Sequence, residues 1–337
     1  MNNRRIYSYD LIKLIGMVLI ILHHSNLMEG ILVRAYVFVE FFFFVAGFMI
    51  CMRFSRKHEN VLQHFVHRCA YLWPKYFLVL IIYFCMLLIG KHEIPYKTFG
   101  QAFGETFLLQ SLGIPNMGGI NYPCWFLSVL LYSDLIIFLL LKLFSKKVYI
   151  TITLIISIAF YVMMIVFFPD TIEVWNYQYI FFSPLWRGFI AMLLGTNVFY
   201  LTEKIGSSLD SRVLRIIEQI TFGGVIILCF INLPFFDYVA ILLLLVLLLL
   251  SNSEKSLFNT VGKNKVVRFL CKHQYSLFLN HAWVIEVTRH FFKKFSIDNV
   301  IIKCFATLII VFIVSFLFDL IYERFVKFIG VQANEKK

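Results

Sequence analysis

Apolar runs of bilayer-spanning length recur along the whole of this chain. A transmembrane helix needs about 20 mainly apolar residues. Ten stretches qualify: 9–28, 32–51, 71–90, 123–143, 148–168, 179–200, 214–231, 234–251, 274–291 and 301–322. Asp134 interrupts the fourth, and His281 and Glu286 interrupt the ninth. Asn232 and Pro234 part the seventh from the eighth with a turn signal. Residues 99–112 read as a short segment lying at the membrane surface. Nothing between the runs is long enough to fold alone. The expected fold is therefore all-α: a polytopic membrane helix bundle of about ten transmembrane helices, one domain over residues 1–337.

Composition agrees. The chain is 61% apolar and 15% charged, with a mean hydropathy of +0.82. A soluble domain is about 45–50% apolar and about 25% charged. This excludes a soluble enzyme, a nucleic-acid-binding domain, a disordered scaffold and a secreted disulfide module. The net charge of +12 would suggest a nucleic-acid partner in a soluble protein. Here its distribution matters more. With the N-terminus inside, inside segments hold 21 Lys and Arg and outside segments hold 7. That bias puts both termini in the cytoplasm. The basic 289–303 loop is the exception on the outside. No small-x-small site follows the first run, so it is expected to be a retained helix, not a cleaved signal. The seven Cys are scattered, without CxxC or CxxxH spacing, so neither zinc nor a disulfide framework is expected.

Ionisable groups inside a span are expensive and usually face a cavity. The first run carries Asp10, Lys13, His23 and His24. At about 100° per residue, Lys13 and His24 fall within about 20° of each other, and Asp10 and Met17 share their stripe. His23 points about 100° away, and the rise from Lys13 to His24 is about 16 Å. Two readings are open. Lys13 snorkels to the headgroups beside Asp10 while His24 marks the far interface. Alternatively, the stripe is a cofactor track with a cation for an anionic group and a histidine for proton transfer. Glu40, Asp134, Arg187, His281, Glu286, Asp319 and Glu323 are the other intramembrane charges. Arg187 is expected to pair, with Asp134 as a candidate partner, or to hold a ligand. Asp319 and Glu323 share a helix face and are expected to pair with Arg324 and Lys327. Trp125 reads as an interface anchor. Adjacent His23 and His24 point apart with no third ligand at suitable spacing, so no metal is expected.

These residues also form a pattern. Asp10-x-x-Lys13 followed by His24 resembles the basic-x10-His signature of the acyltransferase 3 family. The segment from Val39-Glu40 to Gly47-Phe48 is similar to its acidic Phe-rich box, with Ala46 where Ser is usual. Arg68 through Pro74 resembles its Arg-rich stretch, with Tyr71 at a common second Arg position. Trp125-Phe126-Leu127, Arg187 to Gly195, Ser276 to His281 and Tyr322-Glu323-Arg324 resemble its later boxes. Lys13 stands where Arg is commoner, and Leu130 occupies the neighbourhood of an acidic residue that some branches carry. No soluble esterase-like domain is expected after the tenth run.

The resemblance implies a cell-membrane O-acyltransferase with acyl-CoA, usually acetyl-CoA, as donor. The acceptor is a hydroxyl of a cell-surface glycan or lipid-linked sugar, and no nucleic acid is involved. Lys13 and Arg68 would meet the CoA phosphates, and His24 would be the base. Glu40 or Asp10 would orient the imidazole. Arg187, Trp125 and His281 would bind substrate. The alternative is a polysaccharide exporter or transporter of the same membrane family.

Overall fold

The computed structural model describes residues 5–90, 96–114, 117, 119–174, 183–205 and 210–328. Arg4, Lys91, Lys336, Lys337 and the first four residues of the expected 179–200 run lie outside the described residues. The structure is 80% helical, and no strand occurs among the described residues. The helices run in order α1 Tyr7–His24, α2 Phe38–Phe54, α3 Val61–Gly90, α4 Tyr96–Thr106, α5 Trp125–Leu143, α6 Lys146–Phe167, α7 Ser183–Ile205, α8 Ser211–Leu228, α9 Phe236–Ser251, α10 Leu257–Gly262, α11 Lys265–Lys272, α12 Gln274–Lys294 and α13 Val300–Phe328.

A helix covers most of the described part of each expected run. Among the described residues, six segments are long and apolar enough to cross a bilayer: Tyr7–His24, Ala35–Phe54, Val61–Leu88, Tyr122–Leu143, Lys146–Phe167 and Val300–Phe328. Phe236–Ser251 is apolar but shorter. The outer helices present bare hydrocarbon: Ile155, Ile158 and Val166 on α6, and Ile301, Phe305 and Ile309 on α13, are all exposed. Water would not tolerate so continuous an apolar surface on a monomer. The chain is a membrane protein.

Three boundaries differ from expectation for physical reasons. α1 ends at His24 because Asn26 turns into the left-handed region at φ 54°, which only a few residue types adopt readily. α3 starts at Val61 instead of residue 71. Its polar first turns stay helical because His64 and Arg68, four apart, both reach Asp134 on α5. The short segment expected over 99–112 begins earlier, inside the amphipathic α4, and ends in turns.

α2 sits at the centre of the bundle, with Phe41, Phe43, Phe44 and Phe48 buried. It crosses α7 through glycines on both helices. A Cβ on Gly47 would overlap the Met192 carbonyl, and one on Gly195 would overlap the Phe44 carbonyl. Small residues that let backbones touch are the usual way membrane helices gain packing without hydrophobic drive. The crossing locks α2 in place and so fixes which of its faces look toward α1, α5 and α12.

Candidate active site

The charged end of this bundle holds a cavity of about 850 Å³, within the range of roughly 300–1,000 Å³ typical of ligand sites. Its cations are Lys13 on α1, Arg53 on α2, Arg56 and Lys57 beyond it, Arg68 on α3, and the exposed Arg5 and Lys272. Asp10 and Asp134 are the carboxylates on its lining. Lys13 lies 3.3 Å from Asp10, whose other oxygen takes a 2.7 Å hydrogen bond from Arg5. Arg53 is held by Glu59 through two bonds of 2.9 and 3.0 Å. Arg68 pairs with Asp134 at 3.0 Å, and buried His64 bonds the other Asp134 oxygen while stacking on Phe138 at 3.9 Å. The positive groups are thus held in place by fewer acids, and the cavity keeps an excess of positive charge.

Farther along the same stripe of α1 is a second, small chamber of about 30 Å³, lined by His24, His281, Trp125 and Pro123 among others. His24 and His281 stack with ring centroids 5.5 Å apart and planes 24° from parallel. Tyr122 meets His24 edge-on at 5.3 Å. The carbonyl of Phe278 faces His281 Nδ1 at 2.6 Å. A carbonyl only accepts, so Nδ1 carries the proton in that bond and Nε2 is left with a lone pair when the ring is neutral. Nε2 is buried and has no hydrogen-bond partner among the described residues. Arg289 donates to the His24 carbonyl at 2.8 Å and closes the end of α1.

Asp10, Lys13 and Met17 line the large cavity, and Met17 and His24 line the small one, so the stripe read from helix angles faces open space along its length. His23 leaves the stripe, its Nδ1 lying 3.0 Å from the Leu32 carbonyl. The two cavities meet at Met17, Phe42, Phe126 and Phe278, which line both.

Several expected partnerships are corrected. Arg187 pairs with Glu40, not with Asp134, because α2 and α7 cross directly while His64 and Arg68 already occupy Asp134. Both members are buried, at 3% and 0% exposure, so a membrane charge finds its nearest opposite. Arg187 also lies 5.8 Å from the Trp125 ring, which is partly buried against the core at the start of α5. Neither acid expected to orient His24 bonds to it. Glu40 is committed to Arg187, and Asp10 sits near the opposite end of α1. Asp319 and Glu323 do not pair with Arg324 and Lys327. Asp319 accepts from Lys75 at 2.7 Å, His273 at 2.5 Å and Ser276, and Glu323 accepts from Lys272 at 3.0 Å. These bonds tie α3, α12 and α13 together. Residues not singled out from sequence include His64 and Tyr122. The resemblance carried Phe42, Phe126 and Phe278 only as members of three motif boxes, without a role of their own.

A family model described as an acyltransferase domain matches residues 6–320. The chain belongs to the acyltransferase 3 family. No curated protein and no solved structure matches it. As an acyltransferase 3 protein, it is a membrane acyltransferase. Two motifs that mark the acyltransferase 3 resemblance acquire physical meaning in this fold. The Gly47 and Gly195 positions are the helix crossing, and Glu40 and Arg187 are its buried ion pair.

Proposed function

We propose that this acyltransferase takes an acetyl group from acetyl-CoA and transfers it to a hydroxyl of a cell-surface glycan or lipid-linked sugar. The observation that carries this reading is a cation-rich cavity and a histidine pair on one stripe of α1. CoA is a polyanion on a long thin arm. Lys13 and Arg68 would meet its phosphates in charge-assisted contacts. The rise of about 16 Å from Lys13 to His24 suits the arm, which would carry the thioester to the histidines. His24 removes the proton of the acceptor hydroxyl as that oxygen attacks the thioester carbonyl, and returns it to the departing CoA thiolate. His281, with Nδ1 engaged by Phe278, offers Nε2 to receive the acceptor hydroxyl. Glu40 and Asp10 act through Arg187 and Lys13, as positioning residues. Arg187 and Trp125 hold the chamber wall on which the acceptor would lie.

The same proposal gives the chain ten spans in a single domain in the cell membrane, with both termini and the basic cavity facing the cytoplasm, where CoA is found. The Lys and Arg bias supports this orientation. The test is to give purified protein radiolabelled acetyl-CoA and a glycan acceptor and follow the label. Label on the acceptor, or release of free CoA, is expected. An intact donor together with glycan movement across vesicles would favour export and contradict the enzyme reading.

A further inference from the structure

The two cavities on the α1 stripe meet at side chains from four helices. Met17 comes from α1, Phe42 from α2, Phe126 from α5 and Phe278 from α12. The three rings touch one another in a chain. Phe42 meets Phe126 at 6.1 Å and 78°, and Phe126 meets Phe278 at 5.5 Å and 61°, both edge-on. All three are only partly buried, and each lines both cavities. Their neighbours on the same helices, Phe41, Phe43 and Leu127 among them, are packed solid. Phe126 also packs on buried Phe43 at 4.5 Å, so the wall is anchored to the core on one side and borders the cavities on the other. Met17, unbranched and flexible, is the side chain of the four best suited to bend aside.

The chamber beyond the partition is small. Its 30 Å³ admits about two water-sized groups, since one water needs roughly 10–15 Å³. A thioester carbonyl that reaches His24 must carry its acyl chain past the rings and into that space. Two carbons fit the space, and a longer chain meets the aromatic wall or the stacked histidines.

We propose that Phe42, Phe126 and Phe278 set the length of the acyl group this enzyme transfers, by forming an aromatic wall between the donor cavity and the His24–His281 chamber. The inference rests on the acyl-CoA reading given above and adds the residues that choose among donors. One methylene too many in an apolar pocket costs a factor of about 10–200 in rate, so a wall of this kind suffices for strict choice.

The test uses the purified full chain with acetyl-, butyryl- and hexanoyl-CoA. Methyl glucoside is the probe acceptor, and the readout is free CoA thiol, which counts transfer to sugar and to water alike. Wild type is expected to favour acetyl- over hexanoyl-CoA by at least about 100-fold, from the per-methylene factor above. In Phe126→Ala and in Phe278→Ala that preference falls at least tenfold, through a gain with the long donor. Phe278→Ala keeps the backbone carbonyl that binds His281, so the histidine pair stays in place. If the alanine variants fail to fold, Phe126→Leu and Phe278→Leu carry the test, with a smaller shift in the same direction. Phe126→Trp narrows the passage and is expected to lower acetyl transfer. Wild type using hexanoyl-CoA as readily as acetyl-CoA would overturn the proposal. So would folded variants that keep the wild-type preference. No thiol release by wild type from any donor would instead overturn the acyl-CoA reading on which the wall depends.

Discussion

Glu40 and Arg187 are fully enclosed and bound to each other across the α2–α7 crossing. Removing one partner of such a pair leaves a buried charge alone, at a cost of about 3–5 kcal/mol. Glu40→Gln and Arg187→Met should each lower thermal stability in detergent by more than the double substitution does. Equal or additive losses would show that the two do not depend on each other. A second residue-scale prediction concerns Glu59, in the turn between α2 and α3. Partial burial favours its neutral form, but the hydrogen bonds from Arg53 together with the charges of Arg53, His67 and Lys57 outweigh this and hold the carboxyl below its usual range. A carboxyl lowered on folding adds stability above its unfolded value, and that contribution is lost as pH falls through the lowered one. The stability gap between wild type and Glu59→Gln should therefore be open at neutral pH and close in acid, as read by thermal unfolding across pH. A gap that persists in acid would contradict the assignment.

Helix packing is where much of the sequence pattern finds its cause. Gly47→Ala or Gly195→Ala forces α2 and α7 apart against backbone, so both should sharply reduce the yield of folded protein in size-exclusion chromatography. Gly223→Ala on α8 meets no atom within 4 Å and should behave as wild type. The helices themselves were legible from apolar run length, and the α1 stripe from the angle per residue, because both are local properties. Partnerships were not. Arg187 takes Glu40 rather than Asp134, and Asp319 takes Lys75 and His273 rather than its own helix neighbours. Which charges meet depends on which helices cross, and one sequence does not encode that locally. Phe42 and Phe126 were invisible as a wall for the same reason, since Phe is a common lipid-facing residue and only the tertiary fold lays these rings between two cavities.

For the molecule as a whole, the proposed topology puts the α5–α6 and α9–α10 turns on the cytoplasmic side and the α12–α13 turn outside. In a variant stripped of its native cysteines, Ser145→Cys and Ser253→Cys should react with an impermeant thiol reagent only after the cells are opened. Ser296→Cys should react in intact cells. The opposite pattern would invert the bundle and remove the basic cavity from the compartment that holds CoA.

The central claim is that a cation and an imidazole on one stripe of α1 serve the two ends of a single donor. Steady-state kinetics with acetyl-CoA on wild type, Lys13→Ala, His24→Ala and His23→Ala tests it most directly. Lys13→Ala should raise KM for the donor with kcat little changed. His24→Ala should lower kcat by about 10²–10⁴-fold, the usual worth of a general base, and His23→Ala should retain most activity. Full turnover in His24→Ala, or loss confined to His23→Ala, would contradict the account.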